Sequence, residues 1–204
     1  MTYSIRGRAL NKAHSMGSVR FDASPETAAQ IERAARTDAF DPNLFTNRDD
    51  AVARLDRMPT KRTQKVLHAP NYTTAEFTRR LRFDPDAQVL NFDFSGFIFH
   101  HSRDVNDFYD HIEERIKASG QDKWFFLIDN TDCQIMPGAW VQYAFRGKRL
   151  NLRYSLGSVR YAPGSETAAE IRRRSESQDF SPNIRNTRAE ALARIEEMRR
   201  ETTS

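Results

Sequence analysis

Three aspartates lie where a pattern of strands and loops could bring carboxylates together. Asp129 and Asp132 come at and just after the end of the apolar run "KWFFLID", and Asp93 lies in the alternating stretch "QVLNFDFSG". Open α/β sheets place ligand sites at the carboxyl ends of their strands, so such carboxylates could act as an acid and a base. Asp93 lies inside its stretch, however, and Asp129 and Asp132 are neighbours in one predicted loop. Capping or solvated roles are favoured, and a hydrolase or transferase near Asp129 is one hypothesis among three.

A second polar stretch, "HHSRD", contains His100, His101 and Asp104. Adjacent histidines on a strand point to opposite faces, so the two do not readily join one metal site. The sequence contains no P-loop, no dinucleotide fingerprint and no nucleophile elbow. These patterns favour a non-enzymatic protein, with no metal and no cofactor.

Aromatic residues near the predicted central strand suggest a second hypothesis, a small-molecule or lipid-binding module. Trp140 and Tyr143 are three residues apart in a predicted helix, so they share a face and could border an apolar pocket. Packing in the core is the favoured interpretation. The polar loop before this helix holds the other candidate ligand residues, which are Asp129, Asn130, Asp132 and Cys133.

The composition predicts a folded protein in a reducing compartment. The chain has 204 residues, of which 38% are hydrophobic and 29% charged, with 14 Phe, and this is typical of a globular core. No stretch has the length and apolarity of a membrane span, and "MTYSIRGRAL" lacks the apolar run of a secretion signal. The single cysteine excludes an internal disulfide. We therefore expect a cytoplasmic protein.

The net charge is +4, and the basic and acidic residues are interspersed along the chain, which disfavours nucleic acid as a partner.

The chain repeats one segment of itself. Residues 3–58 align with 143–198 without a gap at an offset of 140, with 24 identities in 56 positions. Such a repeat normally indicates a duplicated structural unit. The shared "GSVR" puts Ser18 with Arg20, and Ser158 with Arg160, on the same side of equivalent strands. Each pair is a candidate contact for an anion or a partner's carboxylate, although a local structural role is favoured.

The periodicity predicts an alternation of strands and helices from Ala87 onward. "QVLNFDFSG" and "FIFHH" indicate a hairpin that turns at Ser95-Gly96, and "KWFFLIDN" indicates a strand buried on both faces. "SLGSVRYAP" and "DFSPNIRN" indicate later strands. Helices are predicted in "SRDVNDFYDHIEERIKASG", in "MPGAWVQYAFRGKRLN" with Pro137 in its first turn, in "GSETAAEIRRRSES" and in "TRAEALARIEEM". Helix starts recur in both copies, at Ser24-Pro25, at Asn47 with Asp50, and at Thr187 with Glu190.

Three stretches, "FSGFIFHHSRDVNDFYDHIEERI", "WFFLIDNTDCQIMPGAW" and "FSPNIRNTRAEALARI", together resemble the STAS domain (sulfate transporter and anti-sigma-factor antagonist), in particular its SpoIIAA-like branch. The resemblance covers about 110 residues at the level of pattern. It implies an α/β fold with a four- to five-stranded mixed sheet and helices mainly on one side. It also implies a regulatory module that acts through protein contacts, with a kinase or a sigma-factor regulator as partner.

The same resemblance implies a candidate phosphorylation site. In the family, a serine at a helix start after the central strand accepts phosphate, within a sequence close to Asp-Ser-Ser-Gly. Here the segment 129–133 holds that place, and Thr131 is the candidate acceptor. A phosphate beside a helix start is stabilised by the helix dipole, but Asp129 and Asp132 would repel it, and Ser-Ser-Gly is absent.

The predicted organisation has four parts. These are an incomplete STAS-like half in residues 1–58, a polar linker with one weak helical turn in 59–86, a complete STAS-like domain in 87–200 and a tail in 201–204. Because Met1 aligns inside a helix of the second copy, the first copy lacks the preceding strands. We expect it to dock on the complete domain, to complete itself with another chain as a homodimer, or to begin upstream of Met1.

Overall fold

The computed structural model describes residues 7, 10–11, 14–38, 40–59, 67–161, 166–176 and 182–203. The chain divides into two compact units. The first comprises residues 1–67 with 172–181, and the second comprises 68–171 with 182–204.

In the part of the first unit that the structure describes, the elements with defined bounds are β1 (Arg20–Phe21), α1 (Pro25–Asp38), β2 (Leu44–Phe45) and α2 (Arg48–Asp56). The strands pair in parallel, with Arg20 opposite Leu44. The helix starts are those predicted. The Thr27 N–H donates to Ser24 Oγ over 3.3 Å, and the Asp50 N–H donates to Asn47 Oδ1 over 2.9 Å.

The second unit is built on a five-stranded mixed sheet of order β3-β4-β6-β8-β9. The β3 strand is antiparallel to β4, and every other pair is parallel. The elements of this unit are α3 (Thr74–Arg79), β3 (Leu81–Asp84), β4 (Val89–Asp93), β5 (Ile98–Phe99), α4 (Ser102–Ala118), β6 (Trp124–Asp129), β7 (Gln134–Ile135), α5 (Trp140–Tyr154), β8 (Ser155–Tyr161), α6 (Glu166–Glu176, which crosses the unit boundary), β9 (Ile184–Arg185) and α7 (Arg188–Thr203).

Strand β6 lies at the centre of the sheet, as its apolar run predicted. Its even-numbered residues, such as Phe126, join the core that α4 and α5 cover. Its odd-numbered residues, Phe125 and Leu127, pack with Val159, Ala191 and Ile195 on the opposite face, beneath α7. Right-handed crossovers between successive parallel strands place the connecting helices on one face. Helix α7 follows the last strand, so it is free to return across the other face.

The predicted hairpin at Ser95-Gly96 is wrong. The antiparallel partner of β4 is β3, and β5 instead pairs in parallel with β7 as a separate two-stranded sheet. Side chains explain the difference, because Phe94, Phe97 and Phe99 are all buried in the aromatic core around Phe108. The chain therefore leaves the main sheet after Asp93 and turns inward.

Two further expectations need correction. Within the segment interpreted as a linker, residues 74–84 form α3 and β3, so the sheet begins at Leu81 rather than near Ala87. The α3 helix has a full capping box of Thr73 and Glu76. Helix α5 begins at Trp140 rather than at Pro137. Gly147 lies in mid-helix, where a Cβ would stand 3.2 Å from the Tyr109 hydroxyl oxygen.

Candidate functional site

The carboxyl edge of the main sheet brings together two of the predicted aspartates. In the strand register Asp93 lies opposite Asp129, and Asp129 lies opposite Tyr161. The three side chains therefore end neighbouring strands, β4, β6 and β8. This is the edge at which α/β sheets tend to bind ligands.

Both aspartates are engaged by neighbouring groups. Asp129 Oδ2 accepts a hydrogen bond from the Tyr161 hydroxyl over 3.0 Å, and its Oδ1 accepts from the Thr131 N–H over 2.9 Å. Asp93 Oδ1 accepts from the Ser95 N–H over 2.9 Å, with Arg80 Nη1 at 3.9 Å. Burial, and then the bond to Asp129, raise the pKa of Tyr161 to about 12. These contacts give each carboxylate a role in holding the end of its strand.

Thr131 lies in the turn after β6 and not at a helix start. Its carbonyl oxygen accepts from the Gly96 N–H over 2.8 Å, and Asp132 follows with a positive φ of 52°. Strand β7 separates this turn from α5. The expected stabilisation of a phosphate by the start of the next helix is therefore wrong, and phosphorylation of Thr131 stays a prediction.

Trp140 and Cys133 both lie in the core of the second unit. Trp140 packs edge-on against Tyr143, with ring centroids 5.8 Å apart. Burial raises the pKa of the Cys133 thiol to about 12, so the thiol stays protonated at neutral pH. A groove of about 670 Å³ lies elsewhere, between α3 and α4, and its lining includes Tyr72, Phe77, Asp107, Asp110 and Glu114.

The repeated arginines differ in their surroundings. Arg20 Nη1 donates to the Pro42 carbonyl oxygen over 2.9 Å, which is the local structural role that the sequence favoured. Ser18 Oγ accepts from Asn11 Nδ2 over 2.9 Å. In the second copy, Ser158 lies opposite Phe126 in the strand register, and Arg160 lies opposite Ile128. The two arginines at equivalent positions of the repeat therefore have different neighbours.

The sequence indicated Asn130 and Arg160 as candidates for different reasons. It did not predict that both have buried polar atoms without hydrogen-bond partners. The Asn130 side chain is 1% exposed, and neither its Nδ2 nor its Oδ1 has a hydrogen-bond partner. The Nε of Arg160 is also buried without a partner. Buried polar groups are nearly always hydrogen-bonded, so this pair needs an explanation. The position of Asn130 directly after a buried strand was the available signal.

The histidine stretch forms a structural cluster at the start of α4. Asp104 is buried and accepts from the His100 N–H over 2.9 Å and from Asn71 Nδ2 over 3.1 Å. His101 stacks on His68, with ring centroids 3.9 Å apart. Within the described ranges, no three or more His, Cys, Asp or Glu side chains are placed to hold a metal ion.

Among the described helices, none combines the length and the apolar character needed to cross a membrane. Comparisons of the chain with protein-family models, with curated proteins and with solved structures found no match.

Proposed function

We propose that the second unit is a STAS-like domain and that the protein is a non-enzymatic module acting through protein contacts. The sheet order supports this proposal. An antiparallel edge strand is followed by four parallel strands in chain order, with α4 and α5 on one face. The STAS resemblance implies a four- to five-stranded mixed sheet with helices mainly on one side, and this sheet fits that description. Because one fold serves many functions, the proposal of an interaction role rests on a further observation in the first unit.

The repeat supports a duplicated structural unit. The pairing of Arg20 with Leu44 recurs 140 residues later as Arg160 with Ile184. In each copy a glycine at or near the first shared strand lies against a methionine in or just after the last helix. In each copy the side chain before that helix accepts from the N–H three residues on. We infer that residues 14–58 are a partial copy of the domain that ends the chain.

The observation that carries the interaction proposal is a difference in burial between equivalent residues. Ile195 is fully buried against β6, whereas its equivalent Leu55 is 46% exposed. Leu150 is 4% exposed, whereas its equivalent Leu10 is 62% exposed. The described residues of the first unit contain only β1 and β2, so no strand there takes the place of β6. Leu10 and Leu55 are therefore exposed, whereas the equivalent side chains of the second copy are buried.

We name Phe21, Val52 and Leu55 the open face, since all three are large apolar residues with at least 38% of their surface exposed. Burying apolar surface stabilises by about 25 cal/mol per Å². Contiguous apolar patches mark interaction sites, and we propose that these three side chains form one. The occupant that we propose is the open face of a second copy, which gives a two-fold symmetric homodimer. A kinase or sigma-factor regulator, implied by the resemblance, is the alternative partner.

Sedimentation velocity over a range of protein concentrations tests the proposal. The wild type is expected to be dimeric and Leu55→Arg monomeric, with circular dichroism showing that the variant stays folded. Leu152→Arg is the matched control, because Leu152 is a leucine of the second unit that is 61% exposed. A wild type that stays monomeric throughout, or a control that dissociates as fully as Leu55→Arg, would contradict the homodimer.

A further inference from the structure

We propose that Asn130 and Arg160 form a binding site for a small oxyanion, at the carboxyl edge of β6 and β8 beside the first turn of α6. This site is separate from the open face and from the Asp93–Asp129 pair. Both residues have buried polar atoms without a hydrogen-bond partner in the protein.

Backbone contacts hold Asn130 from both sides. Its N–H donates to the Tyr161 carbonyl oxygen over 2.9 Å, which continues the β6–β8 ladder by one residue. Its carbonyl oxygen accepts from the Cys133 N–H over 3.0 Å. Because the ladder continues, the alternation of the strand also continues, and the Asn130 side chain shares the face of Ile128. An amide fixed there cannot turn to solvent to find a partner.

Arg160 extends from the neighbouring strand on the same face. It lies opposite Ile128 in the β6–β8 register, so its side chain points to the side of the sheet that α4 and α5 cover. Its Nε is buried without a hydrogen bond. Its guanidinium hydrogen-bonds to the Tyr143 side chain and forms no ion pair with a described residue. Arg160 is partly buried, so its charge is withdrawn in part from water and has no counter-charge. An anion would supply that counter-charge.

Two tyrosines line the same region. Burial raises the pKa of Tyr143 to about 12 and holds that of Tyr109 well above its ordinary value, while the nearby Arg160 opposes both shifts. Both hydroxyls therefore remain protonated at neutral pH and can donate hydrogen bonds. The mid-helix Gly147 leaves room for the Tyr109 hydroxyl.

The first turn of α6 lies against the same loop. The Thr167 hydroxyl donates to the Cys133 carbonyl oxygen, and Thr167 is buried. The helix has 11 residues, so its N-terminus carries the positive end of a sizeable dipole. The helix N-terminus and Arg160 thus both contribute positive charge near Asn130, and they oppose the negative charge of the neighbouring Asp129 and Asp132.

The donors and acceptors define the ligand class. Arg160 Nε and Asn130 Nδ2 can both donate to anionic oxygens, and Asn130 Oδ1 can accept from a protonated oxygen. Hydrogen phosphate, or a phosphate ester with one protonated oxygen, satisfies all three atoms. A carboxylate satisfies only the two donors, so phosphate should bind more tightly than acetate.

Isothermal titration calorimetry on the full chain tests the site, with inorganic phosphate as the probe and with acetate and chloride compared at equal ionic strength. We expect saturable phosphate binding that Arg160→Met weakens at least tenfold. Arg20→Met is the matched control, since Arg20 holds the equivalent position in the first copy and contacts a backbone carbonyl oxygen. Saturable binding of equal strength in Arg160→Met, or no saturable binding by the wild type, would overturn the proposal.

A second measurement needs no variant and therefore no assumption about folding. Phosphate titrated into isotopically labelled wild-type protein should shift the Asn130 side-chain amide signals and the Arg160 Nε–H signal with a common saturation curve. If phosphate binds while the Asn130 and Arg160 signals do not shift, the ligand lies outside this site and the proposal is refuted.

Discussion

Met198 of α7 lies directly over Gly157 of β8, in the space where a Cβ would stand. A Cβ built at Gly157 would overlap the Met198 Cε, and one built at Gly17 would overlap the Met58 Sδ. The two pairs are separated by the same offset of 140 residues. Gly157 lets α7 approach β8 closely, so Gly157 and Met198 fix the distance between this helix and the sheet.

Gly157→Ala should destabilise the protein by about 1 kcal/mol, at the low end of the cost of overpacking. The cost is modest because the obstructing atom is the end of a flexible methionine, which can move aside. Combined with Met198→Ala, the same substitution should cost less than it does alone, since the obstruction has gone. Urea unfolding of the four proteins measures this coupling.

The control is Gly138→Ala, because no atom lies within 4 Å of a Cβ built at Gly138. This substitution should leave the unfolding free energy close to that of the wild type. Additive costs of Gly157→Ala and Met198→Ala would mean that the two side-chain positions do not compete for space.

Arg146→Met should cost about 2 kcal/mol, somewhat less than the loss of a fully isolated buried ion pair. Arg146 is 5% exposed and joins α5 to α4 through Asp110 at 2.7 Å and Glu113 at 3.0 Å. Without Arg146, the buried Glu113 keeps its ion pair with the half-exposed Arg149 and loses the other one. Thermal and urea unfolding give the magnitude.

Arg194→Met is the comparison for this substitution. Arg194 pairs with Glu197 and Glu201 on the surface of α7, where both acidic partners are more than half exposed. Exposed ion pairs contribute little to stability, so this variant should unfold much like the wild type. Equal losses in Arg146→Met and Arg194→Met would show that burial does not govern the α4–α5 pair.

Alkaline pH should destabilise the protein through Tyr161. Its pKa is raised in the folded state to about 12 from an ordinary value of 10.0, so folding favours the neutral phenol. The resulting stabilisation is fully present below pH 10 and is lost as the pH rises from 10 towards 12. Urea unfolding at several pH values in that window should show a falling free energy. In Tyr161→Phe the fall should be smaller, although Tyr109 and Tyr143 still contribute to it. A Tyr161→Phe profile identical to that of the wild type would contradict this linkage.

Several elements follow from local patterns alone. The three-and-four spacing of Val105, Phe108 and Ile112 predicts α4, which extends from Ser102 to Ala118. The continuous apolar run after Lys123 predicts β6 as the central strand. Helix starts at Asn47 and at Thr187 depend on a side chain and an N–H only three residues apart, so the sequence contains all the information that they need.

Most periodic elements and the internal repeat can be predicted from the chain alone, because they depend on residues close together in the sequence or on letters that can be compared directly. The pairing of the strands depends on tertiary contacts, and in the fold the β3–β4 and β5–β7 pairs replace the expected hairpin. Leu10 and Leu150 are the same residue in the same repeated context, yet one is exposed and the other buried. Burial depends on elements far along the chain, such as β4, β6 and α4, that cover the second copy. For the same reason the unpartnered amide of Asn130 could be recognised only once the surrounding strands and helices were in place.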